Sequence, residues 1–148
     1  TSLRNVFCWG SDSSGQLGDG ATLADKNIPT ALDMTSLATG ERFTRLTAGA
    51  SHGCGITSHG RSFCWGSDGS GQLGDGSTLA DKGIPTAVDV SSLASGEVFS
   101  QITAGGTLTC GLTSHGRGFC WGAGSRGQIG DGGNTDRGVP TPIDDSIL

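Results

Sequence analysis

A chain of 148 residues with a formal charge of -5 and a pI near 4.9 has the length of one ordinary domain. It lacks the basic balance of a nucleic-acid binder. No apolar run approaches the roughly 20 residues of a membrane helix, and no signal-peptide pattern opens the chain, so Thr1 reads as a mature or internal start.

Glycine supplies 28 of the 148 residues, far above the usual ~7%, and the glycines come back in phase. Phe7 to Gly20 returns almost unchanged at Phe63 to Gly76 and, with a few substitutions, at Phe119 to Gly132; cysteines 8, 64 and 120 set the period at 56 residues. Self-similarity at this period marks a repeat architecture. Two periods leave 36 residues, or about two and two-thirds units in all. The units divide as a partial one at 1–40, a complete one at 41–96 and a partial one at 97–148.

In the complete unit, Phe43 to Ala48 alternates large apolar with polar residues, the period of a half-buried strand. Gly49 breaks it. A second strand is expected at about Ser51 to Thr57, then the turn Ser58-His59-Gly60, then a third at about Arg61 to Gly66. The glycine-rich loop runs to Gly76, Thr78 to Gly83 reads as irregular, and Pro85 to Val90 reads as a fourth strand. Pro at its start suits an edge. Four short strands per unit is the content of a β-propeller blade, and a ring typically needs about four to eight blades. The expected fold is all-β, a propeller segment that is either an excerpt of a longer array or one subunit of an assembly.

Gly60 is expected to supply the positive φ of a three-residue hairpin loop. Thr57 then faces Arg61, and Cys54 lands opposite Cys64; Cys110 and Cys120 repeat the arrangement. Opposed residues in a non-hydrogen-bonded pair have Cα atoms ~4.5 Å apart, within disulfide reach. The rivals are reduced core thiols or a metal site, and the spacing matches no standard zinc pattern. Disulfides imply an oxidising setting, hence secretion, periplasm or cell surface. By the same offset Cys8 is unpaired here, its partner falling before Thr1.

Trp9, Trp65 and Trp121 each follow a cysteine and point to the other face of the strand. They are expected as blade core, with a ligand platform as the alternative. Gln16, Gln72 and Gln128 are expected to bond loop backbone, and each Asp-Gly to make a turn. Calcium would need denser oxygen spacing than Asp12, Asp19, Asp25 and their copies offer. Phosphate would need a lysine or a helix start that is missing. His59 and His115, with Arg61 and Arg117, fall on the hairpin tips as a small basic ridge. These four and Arg126, one of the positions that differ between copies, form the candidate binding rim. The other differing positions are Arg42/Val98, Arg45/Gln101 and His52/Leu108.

Trp-Gly followed by Gly-Gln-Leu-Gly-x-Gly and a proline recurs as Trp9 to Pro29, Trp65 to Pro85 and Trp121 to Pro140, with Ala48 to Cys54 preceding one copy. This pattern resembles the repeat of the regulator of chromosome condensation family, over essentially the whole chain. The resemblance implies propellers commonly of about seven blades. Its departures are Asp12, Asp68 and Gly124, where the family usually has Asn. The nucleotide-exchange loop and basic chromatin face of the best-known member have no match. No nucleophile elbow or single acid pair is present. The sequence reads as no enzyme, with no cofactor and no metal: a non-catalytic protein-interaction or structural module. Its partner is another protein or itself, with no nucleic acid and no membrane span. The alternatives are a self-assembling block of an extracellular filament or ring, joined through open blade edges, and a regulator of a partner enzyme or GTPase.

Overall fold

The computed structural model describes residues 5–21, 23–77 and 79–146. Every regular element among them is a strand. Ten are found: β1 (Phe7–Gly10), β2 (Lys26–Ala31), β3 (Phe43–Ala48), β4 (His52–Thr57), β5 (Ser62–Gly66), β6 (Lys82–Ala87), β7 (Phe99–Ala104), β8 (Leu108–Thr113), β9 (Gly118–Gly122) and β10 (Arg137–Pro142). They form two antiparallel four-stranded sheets, ordered β3-β4-β5-β6 and β7-β8-β9-β10, and one two-stranded sheet, β1-β2. Each four-stranded sheet is an up-and-down blade, so the segment is part of a β-propeller. The third unit carries all four of its strands.

The hairpin turns as expected. Gly60 has φ 75°, its N–H donates to the Thr57 carbonyl, and the Thr57 N–H donates to the Arg61 carbonyl. That loop sets Cys54 against Cys64 and Gly53 against Trp65. The outer strand departs from the expected span: it begins at Lys82, three residues early, and ends at Ala87. A bulge between Cys64 and Gly66 absorbs the extra residues. Pro85 sits within that irregular stretch on an edge strand, where its missing N–H leaves no ladder bond unmade. Val88 and Asp89 leave the sheet, and Asp89 N–H donates to the Gly74 carbonyl of the loop.

The core lies between blades. Cys54, Ile56, Cys64, Leu73 and Val88 of one unit cluster with Phe99, Phe119 and Trp121 of the next. Within the third blade Phe99 meets Phe119 edge-on, and Phe43 meets Phe63 likewise in the second. Trp65 and Trp121 are buried, as expected of blade core. Trp9 is not: it is 63% exposed. The reason is the sheet it belongs to. Trp65 has β4 alongside its strand and Trp121 has β8, whereas β1 pairs only with β2 among the described residues, so no described strand flanks the Trp9 ring on the other edge.

Candidate interaction surface

The glycine-rich loop is shaped by its own polar residues. Asp12 and Asp68 turn inward, and each accepts a bond from a backbone N–H five residues on, Leu17 and Leu73, at 3.0 and 2.9 Å. Asp25 and Asp81 accept the N–H of Asp12 and Asp68. Gly124 has no carboxylate to offer, yet its N–H still reaches Asp136 at 2.8 Å. The glutamines cap the turn: Gln16, Gln72 and Gln128 accept from the N–H of Ser14, Ser70 and Arg126. Burial raises the Asp68 carboxyl to about 6, against the opposing pull of the Leu73 N–H. These side chains fold the loop, and among the described residues no group of acids, histidines and cysteines is placed to hold a metal.

A tryptophan from the next blade covers the first and the second of these loops. At Gly18 an added Cβ would lie 2.7 Å from the Trp65 ring, and at Gly74 2.5 Å from Trp121. Both glycines also have positive φ, so the position needs glycine twice over. The Trp65 indole N–H donates to the Gln16 carbonyl at 3.1 Å. In the next interface the equivalent Gln72 carbonyl is taken by the Thr109 hydroxyl at 2.7 Å, and the Trp121 indole nitrogen is left without a partner. Thr109 stands where the preceding unit has Gly53, so one hydroxyl changes which group joins the blades.

His52 completes that junction. Because the Thr109 hydroxyl gives its hydrogen to Gln72, its oxygen is left to accept from His52 Nε2 at 2.9 Å, which fixes the neutral tautomer with Nδ1 bare. Burial lowers the imidazole to about 4. Leu108 occupies the same place one unit later.

At the opposite end of each blade, a repeated clamp holds the hairpin. Glu41 accepts from Arg61 through both Nε and Nη2, from the Thr57 hydroxyl and from the Ala38 N–H. Glu97 does the same with Arg117, Thr113 and Ala94. Both carboxylates are fully enclosed. Arg61 and Arg117, foremost among these donors, hold them down to about 2. Each guanidinium also lies over a ring, Phe63 at 4.9 Å and Phe119 at 5.0 Å.

The candidate rim residues therefore separate. Arg61 and Arg117 are committed to the clamp, though each remains about half exposed. His59 and His115 sit beside it, 3.9 and 3.8 Å from Glu41 and Glu97. Arg126 lies in the loop after β9, at the other end of the blade, and is not brought together with them. Sequence reasoning misses the glutamates, although Glu41, Thr57 and Arg61 recur together as Glu97, Thr113 and Arg117. It notes His52 only as a position that differs between copies, with Leu108 in its place.

Both bridges form, Cys54–Cys64 and Cys110–Cys120, each with a Cα–Cα distance of 4.1 Å. Cys8 is free. Burial, and then Asp12, raise its thiol above the ordinary value. No helix among the described residues is long and apolar enough to cross a membrane.

Blades joined through a glycine-rich loop and a following tryptophan define a propeller of the repeat class. The chain belongs to the regulator of chromosome condensation (RCC1) repeat family, whose model matches residues 5–56 and 59–112, with a second model of the same repeat at 43–72. It is similar to the ultraviolet-B receptor UVR8 of Arabidopsis thaliana, 31% identical over 139 residues, 94% of this chain and 30% of the receptor. It is similar also to the probable E3 ubiquitin-protein ligase HERC4 of Homo sapiens, 34% identical over 84% of this chain and 11% of the ligase. Among solved structures, human WBSCR16 superimposes with a TM-score of 0.80 at 23% identity, covering 95% of this chain and 35% of that one. Yeast RCC1 (Prp20), in its crystal structure with Kap60, gives 0.84 at 20% identity, covering 99% and 34%. The chain thus spans about a third or less of each.

Proposed function

We propose that the chain is a non-catalytic protein-interaction module of a secreted or surface-exposed propeller-repeat protein. The observation that carries this reading is where its polar side chains go. The aspartates and glutamines shape the loop, and the glutamates and hairpin arginines lock the turn; the same bonds recur in successive units. Several of the positions that differ between units reach solvent: Arg42 against Val98, Arg45 against Gln101, and Arg126 against Ser70. Diversity at the surface of a fixed scaffold is the usual place for recognition. The relatives agree in kind: yeast RCC1 is bound to Kap60 in one crystal structure, and Prp20p of Saccharomyces cerevisiae is described with binding properties toward Gsp1p and histones. The two hairpin disulfides favour an oxidising compartment.

The test is quantitative capture from an extracellular fraction by the immobilised chain and by its Arg42→Glu, Arg45→Glu, Arg126→Glu variant. A partner held by the first and lost by the second supports the reading. Identical capture by both, or none by either, contradicts it. Regulation of a partner enzyme is the same reading with the partner specified. Self-assembly through open edges is the second reading, favoured by the edge of β1 that no described strand covers; mass photometry separates it, since a chain that stays monomeric does not assemble.

A further inference from the structure

The hairpin tips carry one constellation twice, and half of it faces outward. In the second blade Glu41 holds one edge of the Arg61 guanidinium, through Nε at 3.0 Å and through Nη2. In the third, Glu97 holds Arg117 by the same two nitrogens, with Nε at 3.1 Å. One face of each guanidinium rests on a ring, Phe63 or Phe119. A guanidinium has five N–H donors in a rigid fork, and the glutamate takes two. Among the described residues nothing bonds to Nη1 of either arginine. The second edge, Nη1 with the remaining Nη2 hydrogen, is open.

Both arginine side chains are 45% exposed, while the carboxylates beneath them are fully enclosed. The equality is informative. Arg61 is followed by another four-stranded sheet and Arg117 is not, so the exposure belongs to the unit itself. An approaching ligand therefore meets guanidinium before carboxylate. His59 and His115 flank the arginines, each about half exposed. Val98 lies between the two tips. Its Cγ1 is 3.5 Å from where a Cβ on Gly60 would stand, and its backbone bonds Ser114 of the next tip.

We propose that each hairpin tip is a receptor for one carboxylate, and that the two tips with Val98 between them bind an extended acidic segment of a partner protein. A glutamate or aspartate meets each arginine on its open edge, and an aliphatic residue lies over Val98. Bidentate pairing of arginine with carboxylate is among the stronger hydrogen-bonded contacts. An arginine already fixed on one edge and one face loses less freedom in making it. Val98 favours a polypeptide over a sulfated polysaccharide, because an apolar contact between two charges rewards an aliphatic side chain and gives a sugar sulfate nothing. The proposal rests on the reading of the chain as an interaction module and names the chemistry of its partner. It uses residues that the units share, whereas the capture experiment alters Arg42, Arg45 and Arg126, so either can fail without the other.

The experiment uses the oxidised chain and three probes: a short peptide with glutamates on either side of a valine, the same peptide with glutamine for glutamate, and a heparin oligosaccharide. Calorimetric titration reads affinity, and the NMR signals of the arginine side-chain Nε–H groups read location. The acidic peptide is expected to bind about tenfold or more tighter than its glutamine version and to move the Arg61 and Arg117 signals. Arg61→Lys with Arg117→Lys keeps the charge and loses the fork, and should weaken binding about tenfold. Equal affinity for the two peptides would overturn the proposal. So would unmoved Arg61 and Arg117 signals, a folded lysine variant that binds as well as the native chain, or tighter binding of heparin than of the acidic peptide. The signals of the native chain decide the matter even should the lysine variant fail to fold.

Discussion

Replacing the three repeated tryptophans one at a time with alanine separates a packed blade junction from an open edge. Trp65 and Trp121 are 2% and 0% exposed, and each lies against a glycine of the preceding loop. A buried tryptophan removes roughly 150–250 Å² from water, worth about 4–6 kcal/mol at ~25 cal/mol per Å². Measured truncations of buried aromatics fall at about 3–5 kcal/mol. Trp9 keeps only about a third of that burial, so its loss should cost about 1–2 kcal/mol. For a chain of this size ~1 kcal/mol moves the melting temperature about 2–4 °C. Trp65→Ala and Trp121→Ala should therefore lower it by about 6–20 °C, and Trp9→Ala by about 2–8 °C. Thermal unfolding by circular dichroism, without reductant, reads all three. A Trp9→Ala loss as large as the other two would refute the reasoning, since it would show Trp9 covered in solution.

Other perturbations have equally definite outcomes. Removing one hairpin bridge, as Cys54→Ser with Cys64→Ser, should cost about 2.5–3 kcal/mol by the loop-closure estimate, read as a lowered urea midpoint; an unchanged midpoint would mean the bridge does not form. Gly60→Ala forces a left-handed conformation on alanine at φ 75° and should cost about 1–2 kcal/mol. Gly69→Ala, with open space around it and no positive φ, should change stability by less than about 0.5 kcal/mol; equal losses would contradict the turn. Glu41 and Glu97 are held at about 2 when folded and titrate near 4.5 otherwise, so their contribution is complete above pH 4.5 and is lost as pH falls toward 2. Unfolding midpoints across that range should fall steeply for the native chain and less for Glu41→Gln with Glu97→Gln. Asp68 acts in the reverse sense: raised to about 6, it favours folding below its unfolded value and loses that advantage as pH rises through 6. Asp68→Asn should remove that part of the slope between pH 4 and 6, and an unchanged profile would show that the loop carboxyl titrates normally.

Much of the fold is legible in the sequence because its constraints are local and stamped three times. The register that opposes Cys54 to Cys64 needs only a three-residue turn and the period of a strand. The limits of β6 are not legible in this way, since proline suits a strand start. A bulge lets the edge strand run through Pro85, and a bulge depends on two strands together rather than on either alone. Trp9 looks like core by analogy with its copies, but burial is a property of neighbours, and among the described strands β1 has one only on the β2 side. The Glu41 clamp joins residues 16 and 20 apart across a hairpin that must close before they meet, so only the joint recurrence of glutamate, threonine and arginine flags it. His52 occurs once and so carries no periodic signal. Its partner Thr109 also occurs once, and the pair is what distinguishes one blade junction from the other.

Disulfide mapping tests the central claim most directly: blades bridged at their hairpins, with Cys8 outside both bridges. Arg61 and Arg117 lie inside the two bridged loops, so trypsin acting on the denatured, unreduced chain should leave each loop as two peptides joined through sulfur. Linked peptides are predicted for Cys54–Cys64 and Cys110–Cys120, with Cys8 alone taking up an alkylating agent. Cys8 bonded to any of the other four, or five alkylated cysteines, would contradict it.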